Sequence, residues 1–480
     1  MQLPYGFYHD DSPDYLTTPD VLLHQHHFEL HEKKTFLVPI LFTVPFFLKV
    51  PVLISIPIFQ HLMGLGFIVL VGGLCRLWFR HWRVFILPLT LLTAANPFFI
   101  WYEHTLLAET TYLFCTGVVA LAGTLYAMDQ SRRRFFFLLA ALFLEAGARP
   151  EGKLLFGFGL FLLVLLHWRG WRSAWPRLAI MLAVAIVTHF ITTTSQAGLL
   201  LYTSVARFTP TDLKCAPGFD PYIEEIRDDL NRRWAIKPQF PRVRDRRAVS
   251  DAVQEYLRDH PERRKAPRQL GVDHFCMKLA KETCLRNFWS LPNHVYHKFR
   301  FTSVDAPSGR FDNEWLFHRQ REGYDQSPRR TLPLAQHLTG YPYTTLEELN
   351  QFIDTHFGEV PWFNHWMDLW LAVVNHFRQP DRPVAPYPEF PLMPVVHPGV
   401  PYYFMAAGIG VIVVAFRRGK LQLFHIAWGL TLLALFYTII LTANVKPRFR
   451  FVFEPFWFIY IGLLVECLWL AAVAPFRRRE

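Results

Sequence analysis

Apolar runs separated by short polar junctions dominate both ends of the chain. Nine such runs lie at about 60–79, 84–101, 106–127, 135–147, 153–167, 177–194, 401–416, 421–442 and 451–474. A helix needs roughly 20 apolar residues to cross the hydrocarbon core of a bilayer, so these runs are candidates to enter or cross it. The run at 135–147 is short for a span, and Pro150 and Gly152 break the helix shortly after it. The pattern predicts an all-α polytopic membrane protein.

Basic residues mark every second junction between these runs. The clusters are Arg76/Arg80/Arg83, Arg132–Arg134, Arg169/Arg172/Arg177, Arg417/Arg418/Lys420 and Arg477–Arg479. Because Lys and Arg are enriched in cytoplasmic loops, these five junctions are predicted to face the cytoplasm. The opposite side then receives the first 59 residues, a polar insert of about 200 residues and the turn Asn444–Arg450.

Four segments follow from this division of the chain. Residues 1–59 are predicted to be an outer loop, 60–195 an N-terminal transmembrane bundle, 196–398 an extracytoplasmic, mainly helical insert and 399–480 the C-terminal transmembrane helices. The stretch 35–59 is apolar but holds four prolines, which favours short interfacial or re-entrant helices over a straight span. Helices of the insert are predicted at about 220–234, 245–260, 271–300, 345–357 and 364–377.

Composition narrows the classes of partner. The net charge of +11 is concentrated in the predicted cytoplasmic turns, where anionic headgroups attract Lys and Arg, so we expect the lipid bilayer rather than nucleic acid as partner. The six cysteines show no CxxC spacing and are expected to be free thiols. No metal site and no cofactor are predicted, because the histidines of the first loop match no standard zinc spacing. Those histidines are His24, His26, His27 and His31.

Ionisable groups gather on the predicted outer side. Asp10 and Asp11 belong to a carboxylate cluster of the first loop, in which one carboxylate is placed to deprotonate an attacking hydroxyl; a solvated acidic turn is the alternative. Glu103, His104 and Glu109 lie where one apolar run ends and the next begins. Charge at membrane depth is unfavourable, so such residues are either functional or paired.

Outer cations form a second group. Arg149 and Glu151 form either a mutual salt bridge that closes a turn or, through the planar fork of the guanidinium, a contact for phosphate. Lys446, Arg448 and Arg450 stand on the side where the positive-inside rule disfavours them, which indicates an anionic partner. Glu454 is placed to neutralise one of them.

The order of several short motifs resembles a known family. The motifs are DSPDYL (11–16), TFLVP (35–39), QHLMG (60–64), NP (96–97), LLAET (106–110), ARPEG (148–152) and PRFRFVFEP (447–455). Together they resemble the GT-C membrane glycosyltransferases, in the branch similar to bacterial aminoarabinose transferases and protein O-mannosyltransferases. The resemblance covers about 1–195 and 400–475 and leaves the insert without a match.

This resemblance implies a GT-C-like helical bundle and a chemistry. The donor is expected to be a polyprenyl-phosphate sugar, and the acceptor a hydroxyl or amine on a lipid, glycan or protein outside the cytoplasm. Transfer is expected to invert the sugar, with Asp11 as base and Asp10 as fallback. The remaining residues carried over are expected to bind the donor phosphate (Arg149, Lys446, Arg448, Arg450) or to line the site (Tyr15, Glu103, His104, Glu109, Glu151).

The resemblance also implies a location for the protein, and three other kinds of function stay open as alternatives. The protein is expected in the bacterial inner or plasma membrane, with the active site on the extracytoplasmic face. Enzymes of this kind usually have a transmembrane helix before the first outer loop, so we expect one to be missing from this chain. The alternatives are a lipid-linked polymer ligase or polymerase, a transporter or flippase, and a non-catalytic membrane scaffold.

Overall fold

A computed structural model describes residues 12–30, 34–48, 50–192, 399–416, 421–442 and 452–477, together with scattered positions between 201 and 370. These residues are helical with short connections, and no β-strand occurs among them. In this described part of the chain, six helices are long and apolar enough to cross a membrane, or up to seven if a bent pair counts as one span. The prediction of a helical polytopic membrane protein is therefore confirmed at this level.

Twelve α-helices follow one another along the described chain. They are α1 (Ser12–Gln25), α2 (Leu37–Phe47), α3 (Val52–Trp78), α4 (Trp82–Ala94), α5 (Pro97–His104), α6 (Glu109–Met128), α7 (Arg132–Ala148), α8 (Leu154–His167), α9 (Trp171–Ile191), α10 (Gly399–Phe416), α11 (Gln422–Thr442) and α12 (Glu454–Arg477). A 3-10 turn at Pro150–Lys153 joins α7 to α8. Each predicted apolar run falls on one of these helices, and the run at 84–101 falls on the pair α4 and α5, which is bent by 48°.

Helix α3 begins earlier than the sequence predicted. It starts at Val52 rather than at residue 60 and contains Pro57, while α2 ahead of it is short, as predicted for this region. A proline near the start of a membrane helix removes one backbone hydrogen bond, and polar side chains nearby satisfy freed backbone groups. Here Pro57 has no N–H to donate to the carbonyl of Leu53, four residues before it, and the helix continues past this position.

The chain divides into two compact units. One comprises 1–193, 303–433 and 450–480, and the other comprises 194–302 and 434–449. The helices α1–α10 and α12 belong to the first unit, which also holds the predicted site residues that the structure describes. The four predicted segments stay a prediction, and the boundary between residues 59 and 60 lies inside α3.

Three described basic junctions of the first unit share one end of its helices. The Trp78 indole donates to Thr124 at 3.0 Å, which places the end of α3 beside the end of α6. The Tyr126 hydroxyl lies 3.0 Å from His167 Nε2, and Arg177 Nη1 donates to the same hydroxyl at 3.4 Å. Helices α6, α8 and α9 therefore also meet there. We call this end the basic end. The clusters at 417–420 and 478–479 lie outside the described residues.

The opposite end carries the first loop and the connections α5–α6 and α7–α8. Lys153 donates to the carbonyl of Thr192 at 2.5 Å, which ties the start of α8 to the end of α9. The amide of Asn96 donates to Glu454 at 2.9 Å and ties the start of α12 to the start of α5. We call this the acidic end, because it gathers the buried carboxylates Glu103, Glu109 and Glu454.

Few residues of the insert are described. Those within the predicted helices 245–260, 271–300, 345–357 and 364–377 are helical except Thr345, which lies in a bend. The predicted helix at 220–234 lies outside the described residues. Trp370 is buried, and its ring lies 6.4 Å from that of Phe458 on α12. Trp370 of the predicted helix at 364–377 therefore packs against α12 in the first unit.

Candidate functional site

The connection between α5 and α6 is the meeting point of the acidic end. Its residues, Thr105–Ala108, lie between two helices, so their carbonyl groups are available to side chains from elsewhere. The hydroxyl of Ser12 donates to the carbonyl of Leu106 at 3.0 Å, and the amide of Gln60 donates to the carbonyl of Leu107 at 2.8 Å. The first loop and helix α3 are thereby fixed to the same four residues, which we call the α5–α6 linker.

Arg149 is anchored just beyond this linker. Its Nη1 donates to Glu109 at 3.1 Å and its Nε to Glu151 at 3.3 Å, and its guanidinium lies 5.5 Å from the centre of the Tyr112 ring. Glu109 is only 3% exposed and forms the first residue of α6. The extended backbone of Arg149 ends α7, and Pro150 then starts the 3-10 turn that brings Glu151 back towards the guanidinium.

The electrostatics of this cluster keep Arg149 charged. Burial by itself lowers the pKa of an arginine, but the carboxylates of Glu151 and Glu109 raise the pKa of Arg149 above its ordinary value. Tyr15 adds to this effect, which places its phenol within electrostatic range of Arg149. Lys153 and Arg149 together balance Glu109 and Glu151, so these four described groups carry no surplus positive charge.

Two further buried polar groups lie close to Arg149. Glu145 is fully buried on α7 and accepts a hydrogen bond from Thr116 at 2.6 Å. The Tyr112 hydroxyl is buried without a hydrogen-bond partner among the described residues. Sequence reasoning did not select Glu145, although a carboxylate within an apolar run is a signal that would have found it.

A second cluster contains a histidine that sequence reasoning missed. His61 Nδ1 forms a very short contact with a carboxylate oxygen of Glu103, and His61 Nε2 lies 3.2 Å from His104 Nε2. Glu103 and His104 were predicted from their place at the end of α5, whereas His61 lies within α3. A histidine inside a candidate span was the available signal.

The structure brings together part of the predicted site. Tyr15 is buried on α1 under the ammonium group of Lys34, and Glu109, Arg149 and Glu151 form one contiguous cluster. The predicted catalytic residues Asp10 and Asp11 and the predicted phosphate-binding residues Lys446, Arg448 and Arg450 lie outside the described residues. Glu454, predicted to neutralise one of those cations, contacts Asn96.

No cluster of the described residues has the geometry of a metal site. Groups of three or more His, Cys, Asp or Glu side chains that suit a metal ion are absent from the described part of the chain. The cluster at His61 illustrates why: its two ring nitrogens point at different partners, Glu103 and His104, so one ion between all three side chains is excluded.

Comparison of the chain with known protein families, with curated proteins and with solved structures finds no match. The case for a function therefore rests on the geometry of the acidic end and on the sequence motifs.

Proposed function

We propose that this protein is a membrane glycosyltransferase that moves a sugar from a polyprenyl-phosphate donor to an acceptor on the extracytoplasmic face. The observation that supports this most directly is the convergence on the α5–α6 linker. Ser12, which follows Asp11 in sequence, bonds to Leu106, and Glu109 at the end of the linker holds Arg149. The loop of the proposed base and the cluster of the proposed phosphate ligand thus attach to one short segment.

The proposed chemistry is an inverting displacement. The acceptor oxygen attacks the anomeric carbon, the bond from that carbon to the phosphate oxygen breaks, and its electron pair leaves with the prenyl phosphate. Asp11 takes the proton of the acceptor hydroxyl. Because phosphate is a good leaving group, the site needs positive charge for the departing oxygen more than it needs a general acid.

Arg149 has a defined part in this scheme. Glu109 and Glu151 hold its guanidinium plane in one orientation, which suits the two-donor recognition of a phosphate. The same carboxylates neutralise its charge locally. Lys446, Arg448 and Arg450 therefore supply the excess positive charge that a prenyl phosphate requires.

The partners and location follow from the reaction. The prenyl chain lies among apolar helices in the bilayer, and the acceptor is a lipid, glycan or protein of the cell envelope. The bacterial inner membrane is the proposed site, with the acidic end outside. A lipid-linked polymer ligase is the nearest rival, because it uses the same class of donor.

The decisive experiment is a transfer assay with purified protein in detergent. A panel of polyprenyl-phosphate sugars is incubated with candidate acceptors, and released prenyl phosphate is detected by mass spectrometry. Release coupled to addition of one sugar is expected. Growth of a polymer would identify a ligase instead, and binding of donors without release would favour a transporter or flippase.

The base is tested by neutral substitution in the first loop. Asp11→Asn removes the proton acceptor but retains size, so transfer should fall on the order of a hundredfold. Asp10→Asn tests the fallback residue. Full activity of Asp11→Asn with an inactive Asp10→Asn would move the assignment of the base to Asp10. Full activity of Asp10→Asn with Asp11→Asn in one chain would exclude this loop as the source of the base.

The phosphate ligands are tested through donor affinity. Arg448→Ala should weaken competition by free prenyl phosphate by roughly tenfold to a hundredfold, since a charge-assisted contact contributes about 1.5–3 kcal/mol. Arg448→Lys should restore part of the affinity, because a point charge lacks the planar fork. Unchanged affinity in both Arg149→Ala and Arg448→Ala would place the phosphate site elsewhere.

A further inference from the structure

The His61 cluster has a geometry that the proposed reaction does not use. Glu103 and His104 lie at the end of α5 and are buried, whereas the side chain of His61 is 38% exposed. The two imidazoles meet edge to face, with ring centres 4.7 Å apart. One face of the cluster is therefore open and the other is enclosed by protein.

The backbone of α3 leaves space for the carboxylate of Glu103. Gly64 lies about one turn after His61 on α3. A Cβ atom at position 64 would overlap the carboxylate of Glu103. Glycine at this position lets Glu103 lie directly against α3, where it reaches His61. Since a carboxylate buried in a bundle is unfavourable unless it is paired, this close fit points to a built site rather than a chance contact.

The two contacts of His61 are compatible with one arrangement of protons when Glu103 is ionised. When Glu103 is ionised, His61 donates to it from Nδ1, which leaves a lone pair on His61 Nε2. That lone pair faces His104 Nε2 at 3.2 Å, so His104 donates to it. One more proton converts the two rings into an imidazole and an imidazolium that share a proton, and Glu103 balances the positive charge.

Other charged groups near this length of α3 have partners of their own. Among the helices packed on α3, α6 contributes Glu109, which binds Arg149, and α12 contributes Glu454, which binds Asn96. Helix α2 has no titratable residue, and Arg83 of α4 lies near the basic end. Tyr102, the other titratable side chain of α5, packs edge to face against Trp101. Glu103 and His104 are thus the side chains of α5 that set the behaviour of His61.

We propose that His61, Glu103 and His104 form a proton-binding site at the acidic end, in which the two imidazoles share one exchangeable proton and Glu103 balances its charge. A second part of the inference rests on the proposed function. Ser12, which follows Asp11, bonds to the carbonyl of Leu106, two residues after His104. In this scheme, the proton that the acceptor hydroxyl gives to the loop carboxylate passes on to the site, which returns the base to its ionised form. The transfer moves one proton and involves no oxidation or reduction.

The proton-binding part is tested without any substrate. The full chain is labelled selectively in histidine, and its imidazole resonances are followed by NMR in detergent from about pH 5 to 9. The resonances of His61 and His104 should change together. His61→Gln should abolish the change at His104, and Glu103→Gln should alter the change at both rings, because a neutral amide no longer balances the positive charge.

A surface pair provides the matched control. His27 and Glu29 are 3.2 Å apart, but their side chains are 53% and 61% exposed. His27→Gln should leave the resonances of His61 and His104 unchanged. Gly64→Ala should act like Glu103→Gln, since its methyl group displaces the carboxylate. An unaltered His104 titration in His61→Gln, or no titration of either ring in this range, would overturn the inference.

The catalytic part is tested by the pH dependence of transfer. His61→Gln should lower the rate by about a hundredfold and change the pH profile, whereas His27→Gln should do neither. An unchanged profile in an active His61→Gln protein would refute this part while leaving the proposed function intact. If the wild-type chain transfers no sugar, the proposed function fails, and the NMR titration still decides whether the proton site exists.

Discussion

At the scale of single residues, the ion pair between Arg149 and Glu109 is the most consequential contact of the acidic end. Both side chains are largely buried, at 13% and 3% exposure. Removing one partner of a buried ion pair leaves the other charge uncompensated in a poor solvent, which destabilises a protein more than exposed pairs ever stabilise one. The pair therefore combines a structural function with the proposed contact to phosphate.

Glu109→Gln should lower the stability of the protein by about 3 kcal/mol, because the buried Arg149 then loses one of the two carboxylates that it contacts among the described residues. The measurement is the midpoint of thermal unfolding in detergent. Asp129→Asn is the control, since it removes an exposed pair with Arg134. Asp129→Asn should change the free energy of unfolding by no more than about 0.5 kcal/mol. Equal effects of the two substitutions would show that the Glu109 pair is as weak as a surface pair.

At the scale of helices, α12 is fixed to the rest of the first unit at three levels. Near the acidic end, Glu454 binds Asn96. Towards the basic end, the buried Glu466 accepts from the backbone N–H of His81 at 2.7 Å. Between these levels, Gly410 of α10 lies directly against the backbone of Tyr460, with no space for a side chain. Small residues of this kind let membrane helices approach closely and gain packing contacts.

Gly410→Ala should separate α10 from α12, because its methyl group would overlap the backbone carbonyl of Tyr460 and a backbone atom cannot rotate away. The expected loss is about 1–3 kcal/mol, the range for overpacked sites. Gly408→Ala is the matched control, two positions away on the same helix with open space at its Cβ. Thermal unfolding of both variants measures the difference. Equal unfolding midpoints would show that the two helices shift apart at no energetic cost.

At the scale of the whole molecule, successive helix ends alternate between two sides, as the basic clusters at every second junction of the sequence predict. Three of the basic junctions share the basic end, while the first loop and the α5–α6 linker lie at the acidic end. From the positive-inside rule we expect the basic end to face the cytoplasm. That orientation is required by the proposed reaction.

Single cysteines test this orientation in a chain whose own cysteines are replaced by serine. Gln25→Cys at the end of α1 and Arg133→Cys at the start of α7 are both at exposed positions. A membrane-impermeant maleimide added to intact cells should label residue 25 at once. Residue 133 should react only after the membrane is permeabilised. The reverse pattern would contradict both the orientation and the proposed extracytoplasmic reaction.

The sequence by itself determined where the helices lie and which ends carry positive charge. This succeeds because hydrocarbon forces the backbone of each apolar run to satisfy its hydrogen bonds internally, so length and hydropathy suffice. The start of α3 shows the limit: the prolines of 35–59 indicated interruption, but Pro57 lies within the helix. The sequence also identified Glu109, Arg149 and Glu151 as candidate site residues, but it did not show whether they contact one another.

Only the tertiary structure decided which of these groups meet. His61 and Glu103 are separated by 42 positions and His81 and Glu466 by 385, and no local pattern encodes such pairs. Their contact depends on how each helix is rotated about its axis and on small residues, such as Gly64, that allow close approach. Periodicity in a nearly uniform apolar helix gives little information about rotation, because lipid and protein neighbours are similarly apolar. The His61 cluster therefore became visible only once α3 and α5 were packed together.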